Sequence, residues 1–243
     1  MNPVVYVLIV IGVILQVAFI KVEHDKKYVL ADILKGYASL MFVIIGFLAL
    51  KYNPGAGYIG ETYQKRIIAG LICGMIGDIL LNLRFVFKKN GQKIFLAGIA
   101  VFLAGHILYL LAQLPYSIHP AIAIAIGAAL AAALLVYIFK TMDVKPAFKA
   151  FGVIYLGAVF VMTCLAIDVA LTGNNWAWIR SITADWTISP RLFAIGAVLF
   201  TASDIVLIFN TFSGITKFSL RITNLSLYYI GQILIAVSLF FAR

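Results

Sequence analysis

The sequence predicts an all-α fold, a polytopic membrane bundle of eight transmembrane helices built as two parallel four-helix repeats within a single transmembrane domain, 1–243. Three observations lead there. The 243 residues are 64% hydrophobic and only 12% charged, with a mean hydropathy of +1.07, so the chain cannot present an ordinary polar surface to water. The apolar residues fall in continuous runs, not in the alternating segments of an outer-membrane barrel. Eight of these runs come near the roughly 20 residues that a helix needs to cross the hydrocarbon core.

The first run, 4–20, has no basic residue before it and no small-residue cleavage pattern after it, so it reads as a membrane helix and not as a cleaved leader. The second, 29–50, carries Lys35 just inside one end. The third, 66–87, holds Asp78 in "GMIGDILLNLRF" and closes at Arg84. The fourth, 94–114, contains His106 and Tyr109 on one face, and the fifth, 118–139, is almost wholly apolar. The sixth, 149–172, ends near Asp168, a residue read as structural or loop-facing. The seventh, 191–211, carries Asp204 in "FTASDIVLIFNTF", and the eighth, 222–242, groups Tyr228 and Tyr229 with Gln232. Cys73 and Cys164 lie inside helices without metal-ligand spacing and read as small packing residues. The loop 173–190 holds Trp176, Trp178 and Trp186, with Arg180 and Asp185 between them; indole rings favour the interface, so it should lie along the non-cytoplasmic surface.

A net charge of +10 would suit a nucleic-acid partner, but the positions of the cations exclude that reading. Twelve of the nineteen Lys and Arg residues lie at the ends or loops after the first, third, fifth and seventh helices, against six on the opposite side. By the positive-inside rule both termini face away from the cytoplasm, in the bacterial inner membrane or an equivalent internal membrane. The basic rim would attract anionic lipid head groups and phosphates. Oligomeric state is not encoded legibly.

A shift of 126 residues lays "GLICGMIGDILL" over "GAVLFTASDIVL" and "GHIL" over "GQIL". Asp78 then coincides with Asp204, and His106 with Gln232. An even number of helices separates the copies, which makes the repeat parallel, with halves of about 1–115 and 116–243. An aspartate at a membrane helix centre costs about 2.5 to 3.5 kcal/mol, so two at one depth call for a reason. Facing each other across a cavity, two carboxylates cannot both ionise easily, and one neutral acid beside one carboxylate is the equipment of acid–base catalysis. Asn82 lies one turn beyond Asp78. At 1.5 Å of rise per residue, Arg84 is roughly 9 Å nearer the basic rim. A phosphate held there would leave the next bonds of a lipid beside the aspartates. The same pattern also describes a proton-coupled membrane transporter, with Asp78 and Asp204 as proton or cation sites.

"GLICGMIGDILL", "FLAGHILYLLAQ", "GAVLFTASDIVLIF" and "YYIGQILIAVSL" resemble the YhhN-type lysoplasmalogenase family of eight-helix membrane vinyl-ether hydrolases. The resemblance covers the third, fourth, seventh and eighth helices, with Lys35 fitting a family lysine; Gly36 departs where proline would be expected. It implies hydrolysis of the vinyl ether bond of a lysophospholipid, a lysoplasmalogen bearing choline or ethanolamine, to a fatty aldehyde and a glycerophospho-alcohol. The family's two aspartates carry over onto Asp78 and Asp204 as catalytic residues, and its polar companions onto Lys35, His106 and Gln232. Asn82, Arg84, Tyr109 and Tyr229 join these as expected substrate-binding residues, with Lys35 and Arg84 on the phosphate. No metal or organic cofactor is required by such a scheme.

Overall fold

Eight helices form where the hydropathy places them, and together they make a polytopic membrane bundle. They are α1 (Pro3–His24), α2 (Tyr28–Tyr52), α3 (Gly60–Val86), α4 (Gly91–Gln113), α5 (Pro120–Thr141), α6 (Pro146–Thr172), α7 (Ile188–Phe212) and α8 (Phe218–Ser238). The computed structural model describes residues 2–52, 60–144, 146–172, 188–214 and 216–242. The tryptophan-bearing segment, with Trp176, Trp178, Trp186, Arg180 and Asp185, lies outside the described residues.

Seven of the eight helices begin before their expected apolar spans, and α5 begins two residues later, at Pro120. α3 begins at Gly60, six residues before its expected start at 66, because hydropathy marks only the part inside hydrocarbon while the backbone bonds continue into the polar zone. The added turn carries the exposed Glu61–Lys65 pair at 2.7 Å, an i,i+4 contact suited to a wet helix end. Three starts are set by proline: Pro3, behind an Asn2 cap that accepts from the Val4 amide at 2.9 Å, Pro120 and Pro146.

α2, α3, α4, α6, α7 and α8 close a ring in that order, with α8 returning to α2; α1 packs outside on α2, and α5 outside on α6. α8 is the most enclosed helix, whereas α1 and α5 leave Val7, Val10, Ile14, Ile122, Ile126 and Leu130 exposed as a lipid-facing surface. Three crossings need glycine, one of them α5 on α6, where a Cβ at Gly127 would stand 2.7 Å from the Val161 Cα. A Cβ at Gly196 would stand 2.7 Å from the Gly231 carbonyl oxygen, and one at Gly105 would stand 3.1 Å from that of Gly70, so α7–α8 and α3–α4 approach through small residues.

Asp168 holds the α4–α5 turn against α6. Its Oδ2 accepts from the Ser117 hydroxyl at 2.6 Å and from the Ile118 and His119 amides at 2.9 and 3.1 Å, while Oδ1 meets His119 Nδ1 at 3.1 Å. Serine and histidine both bond the carboxylate and not each other, so this Ser/His/Asp cluster is a turn clamp and not a nucleophile relay. Asp168→Ala removes four contacts at once and should cost about 2 to 3 kcal/mol, read as a lowered Tm in detergent.

Candidate active site

The ring of helices leaves a cavity on the basic side of its centre, and both intramembrane aspartates line it. Asp78 comes from α3, where a helical neighbour, Asn82, donates Nδ2 to the Asp78 carbonyl at 3.1 Å and turns its own amide toward the same space. α2 faces it with two residues one turn apart. Ser39 donates its hydroxyl to Asp78 Oδ2, and Lys35 Nζ lies 3.5 Å from the same oxygen. From α8, the Tyr228 hydroxyl donates to Oδ2 at 2.8 Å. Three side chains from two neighbouring helices thus converge on a single oxygen of a carboxylate that is 5% exposed.

Lys35 is more deeply placed than a snorkelling lysine. It is 1% exposed, donates to Gln16 Oε1 at 3.3 Å, and lies over the Tyr228 and Phe19 rings at 4.5 and 5.4 Å. Gln16 is fixed in turn by donating to the Leu225 carbonyl at 3.3 Å. The ammonium therefore stands at the level of the carboxylate and not at the helix end. A buried ion pair of this kind is held by the desolvation that either partner would suffer alone.

Asp204, from α7, is buried to the same degree, but it has different company. The Tyr155 hydroxyl, from α6, donates to its Oδ2 at 2.8 Å. The preceding residue, Ser203, also lines the cavity, and its carbonyl accepts from Asn224 Nδ2 at 2.8 Å, which ties α8 to α7 at this point. Phe95, Ile99, Phe102, Leu156, Phe200 and Leu207 form the apolar walls between the two aspartates and the mouth. Arg84, from the last turn of α3, and Arg221, from the first turn of α8, line the far end. The cavity is thus acidic in its depth, aromatic along its length and cationic at its mouth.

Of the residues expected from the sequence, Asp78, Asp204, Lys35, Asn82 and Arg84 share this cavity. The remaining four lie behind its wall. The His106 ring packs on Phe200 with centroids 4.5 Å apart and on Tyr155 at 5.6 Å, and neither ring nitrogen has a hydrogen-bond partner among the described residues. Tyr109 donates to Gln232 Oε1 at 3.0 Å, joining α4 to α8. Tyr229 turns the other way and donates to the Ala38 carbonyl at 3.0 Å. Tyr155, Tyr228, Asn224, Arg221 and Thr211, with Ser203, complete the polar lining. The sequence groups Tyr228 with Gln232 on the eighth helix and counts Arg221 in the basic rim, but it gives no signal for Tyr155 or Asn224.

Fold and site define a class: a multi-pass membrane protein whose lipid-like interior cavity carries two buried carboxylates below a pair of guanidinium groups. The YhhN family model matches residues 32–239, and the chain belongs to the YhhN family. It is 27% identical over 180 residues to the lysoplasmalogenase TMEM86B of Sus scrofa, an alignment covering 74% of this chain and 65% of the relative. The chain therefore spans just under two thirds of that relative's length. No solved structure gives a significant match.

Proposed function

We propose that the chain is a lysoplasmalogen hydrolase, cleaving the vinyl ether bond to a fatty aldehyde and a glycerophospho-alcohol. The observation that carries this reading is the pair of aspartates lining one cavity with unlike partners. A vinyl ether is inert to base but reacts once its β-carbon is protonated. Asp204, whose one hydrogen-bond partner among the described residues is the Tyr155 phenol, serves as the acid. Its proton moves to the β-carbon as the double-bond electrons form the new C–H bond, leaving an oxocarbenium ion. Asp78 serves as the carboxylate. Lys35, Ser39 and Tyr228 all fall on its Oδ2, so Oδ1 faces the attacking water and takes its proton as the C–O bond forms. The hemiacetal then collapses. Asp78 returns that proton to the leaving glycerol oxygen, Asp204 recovers one from the hemiacetal hydroxyl, and both groups regain their starting forms.

His106, Tyr109, Gln232 and Tyr229 act in this scheme by holding the wall: His106 behind Tyr155 and Phe200, the Tyr109–Gln232 bond behind Tyr228, and Tyr229 against α2. The substrate phosphate would sit at the mouth, which by the distribution of basic residues opens toward the cytoplasm. The two-halves reading is supported by the equivalent crossings Gly70–Gly105 and Gly196–Gly231, and by a neighbour order that survives advancing each helix by four. Divergence of the partners of Asp78 and Asp204 within that symmetry is what a division into acid and base requires.

Carbon protonation leaves a mark in the product. Turnover in D₂O, with the aldehyde trapped at once by reduction, should place a single deuterium on the carbon beside the former carbonyl. An aldehyde without deuterium there would refute acid attack on carbon; mass spectrometry decides.

A further inference from the structure

Arg221 is the cavity-lining cation that the aspartate chemistry leaves unused. Its Nε donates to Glu23 Oε2 at 3.0 Å and its Nη2 to Glu23 Oε1 at 2.6 Å, a two-pronged pair between the start of α8 and the end of α1. The two side chains are only 20% and 12% exposed. Across the mouth, the Arg84 guanidinium lies over Phe95 and Phe85 at 4.3 and 4.6 Å, with Nε buried and lacking a partner among the described residues. One fork is therefore occupied by a carboxylate while a second fork beside it is short of an acceptor.

A phosphodiester is the acceptor that suits both guanidinium groups, since each can present paired N–H donors to its oxygens. To engage Arg221 it must displace Glu23, and that strands a largely enclosed carboxylate without its cation, which is costly. A ligand that brings its own cation one short link beyond the phosphate avoids that cost. We propose that Arg221 and Glu23, with Arg84, form a head-group site selective for zwitterionic phospho-amine lipids. The phosphate bridges Arg84 and Arg221, and the ammonium takes Arg221's place on Glu23. An anionic lipid such as a phosphoglycerol satisfies the guanidinium groups but leaves Glu23 repelled and unpaired, so the pair discriminates by rejection as well as by attraction. This inference rests on the cavity being the lipid site and goes beyond the hydrolysis itself by naming what reads the head group.

Saturated ether lysolipids test it, because they bind without being cleaved. Calorimetric titration of the purified protein with the phosphoethanolamine and phosphoglycerol forms should show a preference of about tenfold or more for the zwitterion. Glu23→Gln should bring that ratio close to one, and Arg221→Gln should weaken both ligands by about tenfold or more. The exchange Glu23→Arg with Arg221→Glu keeps an interhelical pair, and so the fold, while turning the acid toward the cavity; it should bind neither lipid detectably. A wild-type ratio near one, or wild-type binding by the exchanged protein, would overturn the head-group site. Aldehyde release measured separately on the vinyl ethers keeps the two readings apart. Preference without aldehyde overturns the hydrolase reading alone, and aldehyde without preference overturns the head-group site alone.

Discussion

Asp204→Asn is expected to lower kcat for aldehyde release by about 10²- to 10⁴-fold, the usual contribution of a positioned acid. The amide is nearly the same shape and can still accept from Tyr155, so the cavity keeps its geometry and loses only the proton that reaches carbon. KM should move little, because in the proposed site the phosphate rests on the guanidinium groups and not on Asp204. Asp78→Asn is expected to lose activity on the same scale for the complementary reason that no carboxylate takes the proton of the attacking water. Unlike Asp204→Asn, it also leaves Lys35 buried without its counter-charge, so it should reduce the yield of folded protein. Rates per folded molecule for both variants decide the matter. Either one retaining half of wild-type turnover would remove that aspartate from the mechanism.

The second large effect is on stability. Lys35→Met leaves the 5% exposed Asp78 carboxylate without its cation, and breaking one partner of a buried pair costs about 3 to 5 kcal/mol. Met fills the volume of the lysine stem over the Tyr228 and Phe19 rings, so the loss reports charge and not packing. The double variant Lys35→Met with Asp78→Asn should recover most of the stability while staying inactive. Thermal unfolding in detergent measures both. A Lys35→Met protein as stable as wild type would show that the 3.5 Å pair contributes nothing, and an active double variant would show that the pair does no chemistry.

The residues that the sequence made legible are those with no ordinary place in an apolar helix. Asp78, Asp204, Lys35 and Asn82 cost too much inside a membrane to be incidental, and the structure gathers them about one cavity. Arg221 and Glu23 were harder to read because they stand at helix ends, where charge has a sufficient explanation in orientation, and because 198 residues separate them. Tyr155 gave no warning: an aromatic ring in a membrane helix reads as packing until its hydroxyl is seen on Asp204. Periodicity also blurred neighbours. Adjacent residues are about 100° apart around a helix, and that angle sends Tyr228 to Asp78 but Tyr229 to Ala38. Pattern fixes the face of a helix but not which helix the face meets, so His106, Tyr109 and Gln232 could be grouped with the site without being seen to lie behind its wall. Most helices began before their expected starts because hydropathy ends where the hydrocarbon does, whereas the backbone ladder of α3 runs on to Gly60.

One measurement bears most directly on the paired-aspartate hydrolase. Purified wild-type protein is incubated with a vinyl-ether lysophospholipid and, in parallel, with its saturated ether analogue, and free fatty aldehyde is quantified. Rapid release from the vinyl ether alone is the expected result, since only that substrate has a carbon that Asp204 can protonate. No aldehyde from either substrate, together with proton flux across liposomes carrying the same protein, would contradict it and make Asp78 and Asp204 the proton sites of a carrier.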